Sequence, residues 1–153
     1  MKNSIEFITD KSKELLDRQI AAFLHIDQNA GIIVGIVSIF LPLFVGSIVT
    51  ENIIIKLISL IPIVVFVVGI VVMLLVIRSK KLNLGYSEKE IEELIDEPIK
   101  NILKIEIAYN VIAYEENEDI IINKNSLYNF GLIILIIAII LSVVMMIVNI
   151  FMK

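Results

Sequence analysis

The 153-residue chain has no cysteine, no tryptophan and one histidine. Without cysteine there is no disulfide, no thiolate nucleophile and no thiolate-bound zinc. With one imidazole, most metal sites and acid–base pairs lack their members as well. No phosphate loop, nucleophile elbow or dinucleotide-binding glycine pattern occurs. The expectation is a chain that is not an enzyme, with no catalytic residues, cofactor or metal. A basic footprint is also missing: 13 Lys and Arg stand against 17 Asp and Glu, for a net charge of −4. Nucleic-acid binding needs clustered positive charge to displace counterions, so none is expected.

What is abundant is apolar side chain, at 58% of residues with a mean hydropathy of +0.94. Soluble domains run near 45–50% apolar. The excess lies in three runs without a charged residue: Ala30 to Val49, Leu57 to Ile77, and Tyr128 to Met152. Each is long enough for a helix to cross a hydrocarbon layer about 30 Å thick. The Ile and Val that fill them would favour strands in water, but a membrane strand alternates polar with apolar, and these runs do not. The predicted fold is all-α: an integral membrane protein with three transmembrane helices, spans 30–49, 57–77 and 128–153. No cleavable signal peptide is expected, because a polar stretch precedes the first run.

Loop cations set the expected orientation. Lys2, Lys11, Lys13 and Arg18 precede the first run, and Arg78, Lys80, Lys81, Lys89, Lys100, Lys104 and Lys124 separate the second from the third. Only Lys56 and Lys153 lie elsewhere, so 11 of the 13 cations share one side. The positive-inside rule makes that side cytoplasmic, with the N-terminus inside the cell and the C-terminus outside its inner (plasma) membrane. Arg78, Lys80 and Lys81 form a membrane-surface anchor suited to anionic headgroups.

Two polar pieces remain. Within residues 1–29, Ile5, Ile8, Leu15, Leu16, Ile20 and Phe23 recur at helical spacing opposite Glu6, Asp10, Lys13, Glu14, Asp17 and Arg18, which predicts an amphipathic helix. Its polar face mixes signs, which favours packing on another helix over lying flat on lipid. Asp27-Gln28-Asn29 offer caps for the next helix. Segment 78–127 is acidic and predicted helical. Ser87 and Glu90 form a capping box for a helix from Glu88 that ends near Asp96, and Pro98 begins another. From there the helical phase runs on into the third span. Asn117, Asn123 and Asn125 mark where it would break, if it breaks.

Small and polar residues line two faces. Gly31, Gly35, Ser38, Pro42 and Gly46 share one side of the first span. Gly131, Leu135, Ala138, Ser142, Met145 and Asn149 share one side of the third. Helices in lipid associate through such residues, within a chain or between copies. The two readings are a packing face and a pore lining, and a pore needs several copies. Pro42 and Pro62 are expected to kink their spans. None of the spans holds an ionisable group, which argues against coupled transport. His25 near Asp27 reads as a pH sensor or as amphipathic filler. The acidic cluster Glu115, Glu116, Glu118 and Asp119 reads as a solvated face or, in a ring of copies, as a cation concentrator.

The order of an amphipathic helix, a two-span hairpin and a cytosolic helix, over roughly residues 4–104, resembles the SLATT-type effectors of nucleotide-signalled phage defence. A third span departs from that two-span pattern. The resemblance implies a self-associating pore-forming or channel effector gated through its cytosolic helices. The expected partners are the lipid bilayer, further copies of the chain in a homo-oligomer, and a cytosolic protein or small signal ligand. The alternative is an anchor or scaffold that recruits a protein through the 88–125 helices and never conducts. A reporter fused after Lys153 is expected to report from outside the cell, and a cytoplasmic signal would reverse this topology.

Overall fold

A computed structural model describes residues 3–48, 53–78, 81–85, 94 and 97–151. Among them there are four helices and no strand: α1 (Ser4–Ser47), α2 (Ile53–Ile58), α3 (Leu60–Ile77) and α4 (Ile99–Phe151). The proposed capping box at Ser87, the helix from Glu88 and the anchor residue Lys80 lie outside the described residues. Three helical stretches, Ser4–Gly46, Ile53–Ile77 and Ile99–Phe151, are long and apolar enough to cross a membrane.

One expected boundary is absent. The residues Asp27-Gln28-Asn29 cap nothing, because α1 passes through them unbroken. A cap is needed only where backbone N–H groups lack a carbonyl four residues earlier, and here that ladder continues. The Asp27 side chain goes elsewhere, as described below. The long last helix expected from the unbroken helical phase is present: α4 runs through Asn117, Asn123 and Asn125 without a break. The span after the first hairpin turn also starts earlier than expected, at Ile53. Its interruption at Ser59 has a covalent cause. Pro62 has no N–H for the Ile58 carbonyl, and its ring crowds that carbonyl. At the interruption the backbone N–H and the hydroxyl of Ser59 both donate to Ile55 O at 2.9 Å.

The chain forms two compact units. One, the polar unit, comprises Met1–His25 and Lys80–Asn123; the other, the apolar unit, comprises Ile26–Ser79 and Lys124–Lys153. In the polar unit α1 and α4 lie side by side in the same direction, Ser12 meeting Asn110 and Gln19 meeting Tyr114. In the apolar unit the core is Ala30 and Val37 of α1, Phe66, Met73 and Val76 of α3, and Leu135 and Ala138 of α4. Outside that core the apolar unit shows large apolar side chains, among them Ile39, Leu43, Val64, Ile136 and Ile140, each roughly half exposed or more. Water would not tolerate so wide an apolar surface on a monomer, whereas hydrocarbon imposes no cost on it.

Close approach of α3 and α4 depends on glycine. A Cβ on Gly69 would overlap the Leu135 side chain, and one on Gly131 would press on Val72 at 3.0 Å. By contrast nothing lies within 4 Å of a Cβ added at Gly31, Gly35 or Gly46. Gly69→Leu is therefore expected to destabilise the fold by about 1–3 kcal/mol through overpacking, with partial recovery on adding Leu135→Ala. Gly35→Leu should leave the monomer's stability within about 0.5 kcal/mol. Thermal unfolding of the three variants in detergent checks the ranking.

Candidate functional site

The polar unit is held by side-chain amides rather than by a large apolar core. Asn117, fully buried on α4, receives the backbone N–H of Asn83 on Oδ1 and donates from Nδ2 to Asn83 O, both at 2.8 Å. One side-chain amide thus serves both backbone groups of the segment that follows α3, as a neighbouring strand would. Asn83 in turn donates from Nδ2 to Glu116 and accepts the Gly85 N–H, at 2.8 and 2.9 Å. That turn needs glycine, since Gly85 has φ +90. Its open side faces Asn110, whose Nδ2 donates to Ser12 Oγ at 3.1 Å. On the N-terminal turns Thr9 and Ser12 donate to carbonyls of their own helix. Asparagine, which reads in sequence as a helix breaker, is here the tie that seats residues 81–85.

In the apolar unit one charge pair is deeply placed. Lys124, with 1% of its side chain exposed, meets Asp27 at 2.7 Å, and Asp27 is 24% exposed. His25, two residues before Asp27, is exposed. Further along α4, Asn149 is buried with neither amide atom hydrogen-bonded.

The two small-residue faces go opposite ways. Gly131, Leu135, Ala138, Ser142 and Asn149 of α4 are buried against the chain's own helices, with Ser142 donating to Ala138 O at 2.8 Å. Gly31, Gly35, Ser38, Pro42 and Gly46 of α1 are all exposed. In the apolar part of α1 the buried positions are Ala30, Val37 and Phe44 instead. Ser38 Oγ returns to Val34 O at 2.7 Å. Pro42 lies inside α1 on this same face and gives no N–H to the Ser38 carbonyl.

The described residues of the membrane-surface anchor and of the acidic cluster are all exposed. Arg78 ends α3, its N–H donating to Leu74 O at 3.0 Å, and Lys81 is exposed. Glu115, Glu116, Glu118 and Asp119 are exposed on successive sides of α4, and only Glu116 is engaged with the Asn83 turn. Among the described residues no group of acidic residues and histidine is arranged to hold a metal. On α1, Glu14 joins Lys11 and Arg18. The hydrogen bond from Lys11, then the charge of Arg18, hold its carboxyl below the usual carboxylate range.

Sequence reasoning missed Gly69, the tie between Asn83 and Asn117, and the Lys124–Asp27 pair. The glycine was legible as a small residue in the second span, but which side chain it admits was not. The chain matches no protein family model, no curated protein and no solved structure.

Removing one member of a buried ion pair leaves the other charge desolvated. Asp27→Ala is therefore expected to cost on the order of 2 kcal/mol, below the fully buried case because Asp27 is partly exposed. Joining it to Lys124→Met should recover most of that loss. A double-mutant cycle on unfolding in detergent checks both numbers.

Proposed function

We propose that this chain is a non-enzymatic membrane protein whose copies assemble through the bare face of α1 and together form an ion-conducting pore, gated through the polar unit on the cytosolic side. The observation that carries this reading is the exposed stripe Gly31, Gly35, Ser38, Pro42 and Gly46. Its counterpart on α4 is used up inside the chain. Small residues allow helix backbones to approach closely, and in lipid that packing, not hydrophobicity, drives association.

Three helices of one chain are too few to enclose a water path, so conduction requires several copies. Spans free of ionisable groups argue against a proton-coupled carrier and are compatible with a passive pore. In a ring of copies the exposed carboxylates near residue 115 would draw cations to its mouth.

The test is oligomer mass in detergent together with conductance of the purified protein in planar bilayers. A conducting oligomer is expected. Gly35→Leu should weaken its association about tenfold or more, the equivalent of about 1.4 kcal/mol. Glu115→Lys should shift its reversal potential away from cation selectivity. A monomer or silent dimer would overturn the pore reading and leave a membrane anchor that recruits another protein.

A further inference from the structure

The polar unit has a second open surface that the stripe on α1 does not explain. Successive helix residues are about 100° apart, so Glu116 and Glu118 fall on either side of inward-facing Asn117. Glu116 takes the Asn83 turn. On the Glu118 flank lies an open groove of about 370 Å³, walled by Leu15, Arg18 and Gln19 of α1 and by Tyr114, Glu118 and Ile122 of α4. Leu15 and Ile122 remain 52% and 57% exposed there.

The chemistry of the groove narrows its occupant. Leu15 and Ile122 stand among Glu14, Arg18, Glu118 and Asp119, which excludes hydrocarbon as the natural neighbour. Arg18, which also joins Glu14 of its own helix, is the cation of one wall, and Glu118 is the anion of the other. Gln19 donates to Tyr114 O at 3.0 Å, but its Oε1 has no hydrogen-bond partner. The surface thus offers apolar side chains and opposite charges on facing walls.

That combination is self-complementary. When two such grooves meet about a two-fold axis along the helices, each α1 wall faces the other copy's α4 wall. Arg18 then meets the partner's Glu118, and Glu118 meets the partner's Arg18, while Leu15 covers the partner's Ile122. The same patch serves both copies, as a closed two-fold interface requires. We infer that this groove is where a second copy of the chain docks, pairing Arg18 with Glu118 twice about a two-fold axis. The inference deepens the self-association reading above, on which it rests, and assigns a contact away from the α1 stripe.

Two single charge reversals in the full chain, Arg18→Glu and Glu118→Arg, test it. Each variant alone places like charges at both contacts, and its self-association in detergent is expected to weaken about tenfold. Mixed together and differently tagged, the two variants should pair as tightly as the parent, because each reversed charge now meets its opposite. An effect confined to one chain, such as loss of the Arg18–Glu14 pair, cannot be restored by mixing. Unchanged association of either variant, or weakening without restoration, overturns the inference.

The absence of cysteine gives a second readout. Arg18→Cys in one tagged chain and Glu118→Cys in another should cross-link into a mixed dimer on oxidation, and failure to do so counts against the groove. If Gly35→Leu disrupts assembly while the charge reversals do not, the groove inference fails and the α1 stripe stands. A parent chain that is monomeric throughout overturns both.

Discussion

An ammonium group with 1% of its side chain exposed must be met by negative charge, and Asp27 meets that of Lys124 at 2.7 Å. Taking either ion out of water alone would cost several kcal/mol, and their attraction offsets this only when the geometry is fixed. The pair therefore sets the register of α1 on α4 within the apolar unit. Sliding α1 by one residue would turn Asp27 about 100° away and strand the lysine. With that register set, Ala30 and Val37 of α1 share a core with Leu135 and Ala138 of α4. Apolar packing alone specifies register weakly, since one Ile or Val replaces another with little loss. A charge pair admits no such slip.

The polar unit solves the same problem with neutral groups. Its apolar core is small, so the segment after α3 is seated by amides. Asn117 satisfies both backbone groups of Asn83, and Asn83 then closes the turn at Gly85. Buried amides are costly unless their hydrogen bonds are made. Asn117 has them, while Asn149 in the apolar unit does not.

Two long helices also divide their faces differently. On α4 the small residues admit the neighbouring helix, and Leu135 fills the space that Gly69 leaves. On α1 the chain's own contacts run through Ala30, Val37 and Phe44, which leaves Gly31, Gly35 and Gly46 uncovered. A helix can present only one side to its own bundle, so a second patterned side is surface for something else. The charged groove on the Glu118 flank adds a further surface of that kind, differing in chemistry because it lies among ionisable side chains.

Much of this architecture was legible from residue order. Three charge-free runs of about 20 or more apolar residues determine apolar helices of membrane-spanning length, because in hydrocarbon a backbone has few other ways to pair its own groups. The helical phase from Ile99 onward likewise carried α4 through to Phe151. Asp27 misled because it has two uses: it is a good cap in isolation, yet it serves as the partner of a distant lysine. The tie that Asn117 makes to Asn83 was likewise not legible from its neighbours in sequence. Sequence also showed two small-residue stripes as equals, since a periodic pattern records a face and not what covers it. Only the tertiary structure decided that the α4 stripe is spent inside the chain and the α1 stripe is bare. The reason is physical: periodicity is a property of one helix, while burial, charge pairing and the space around a glycine are properties of two.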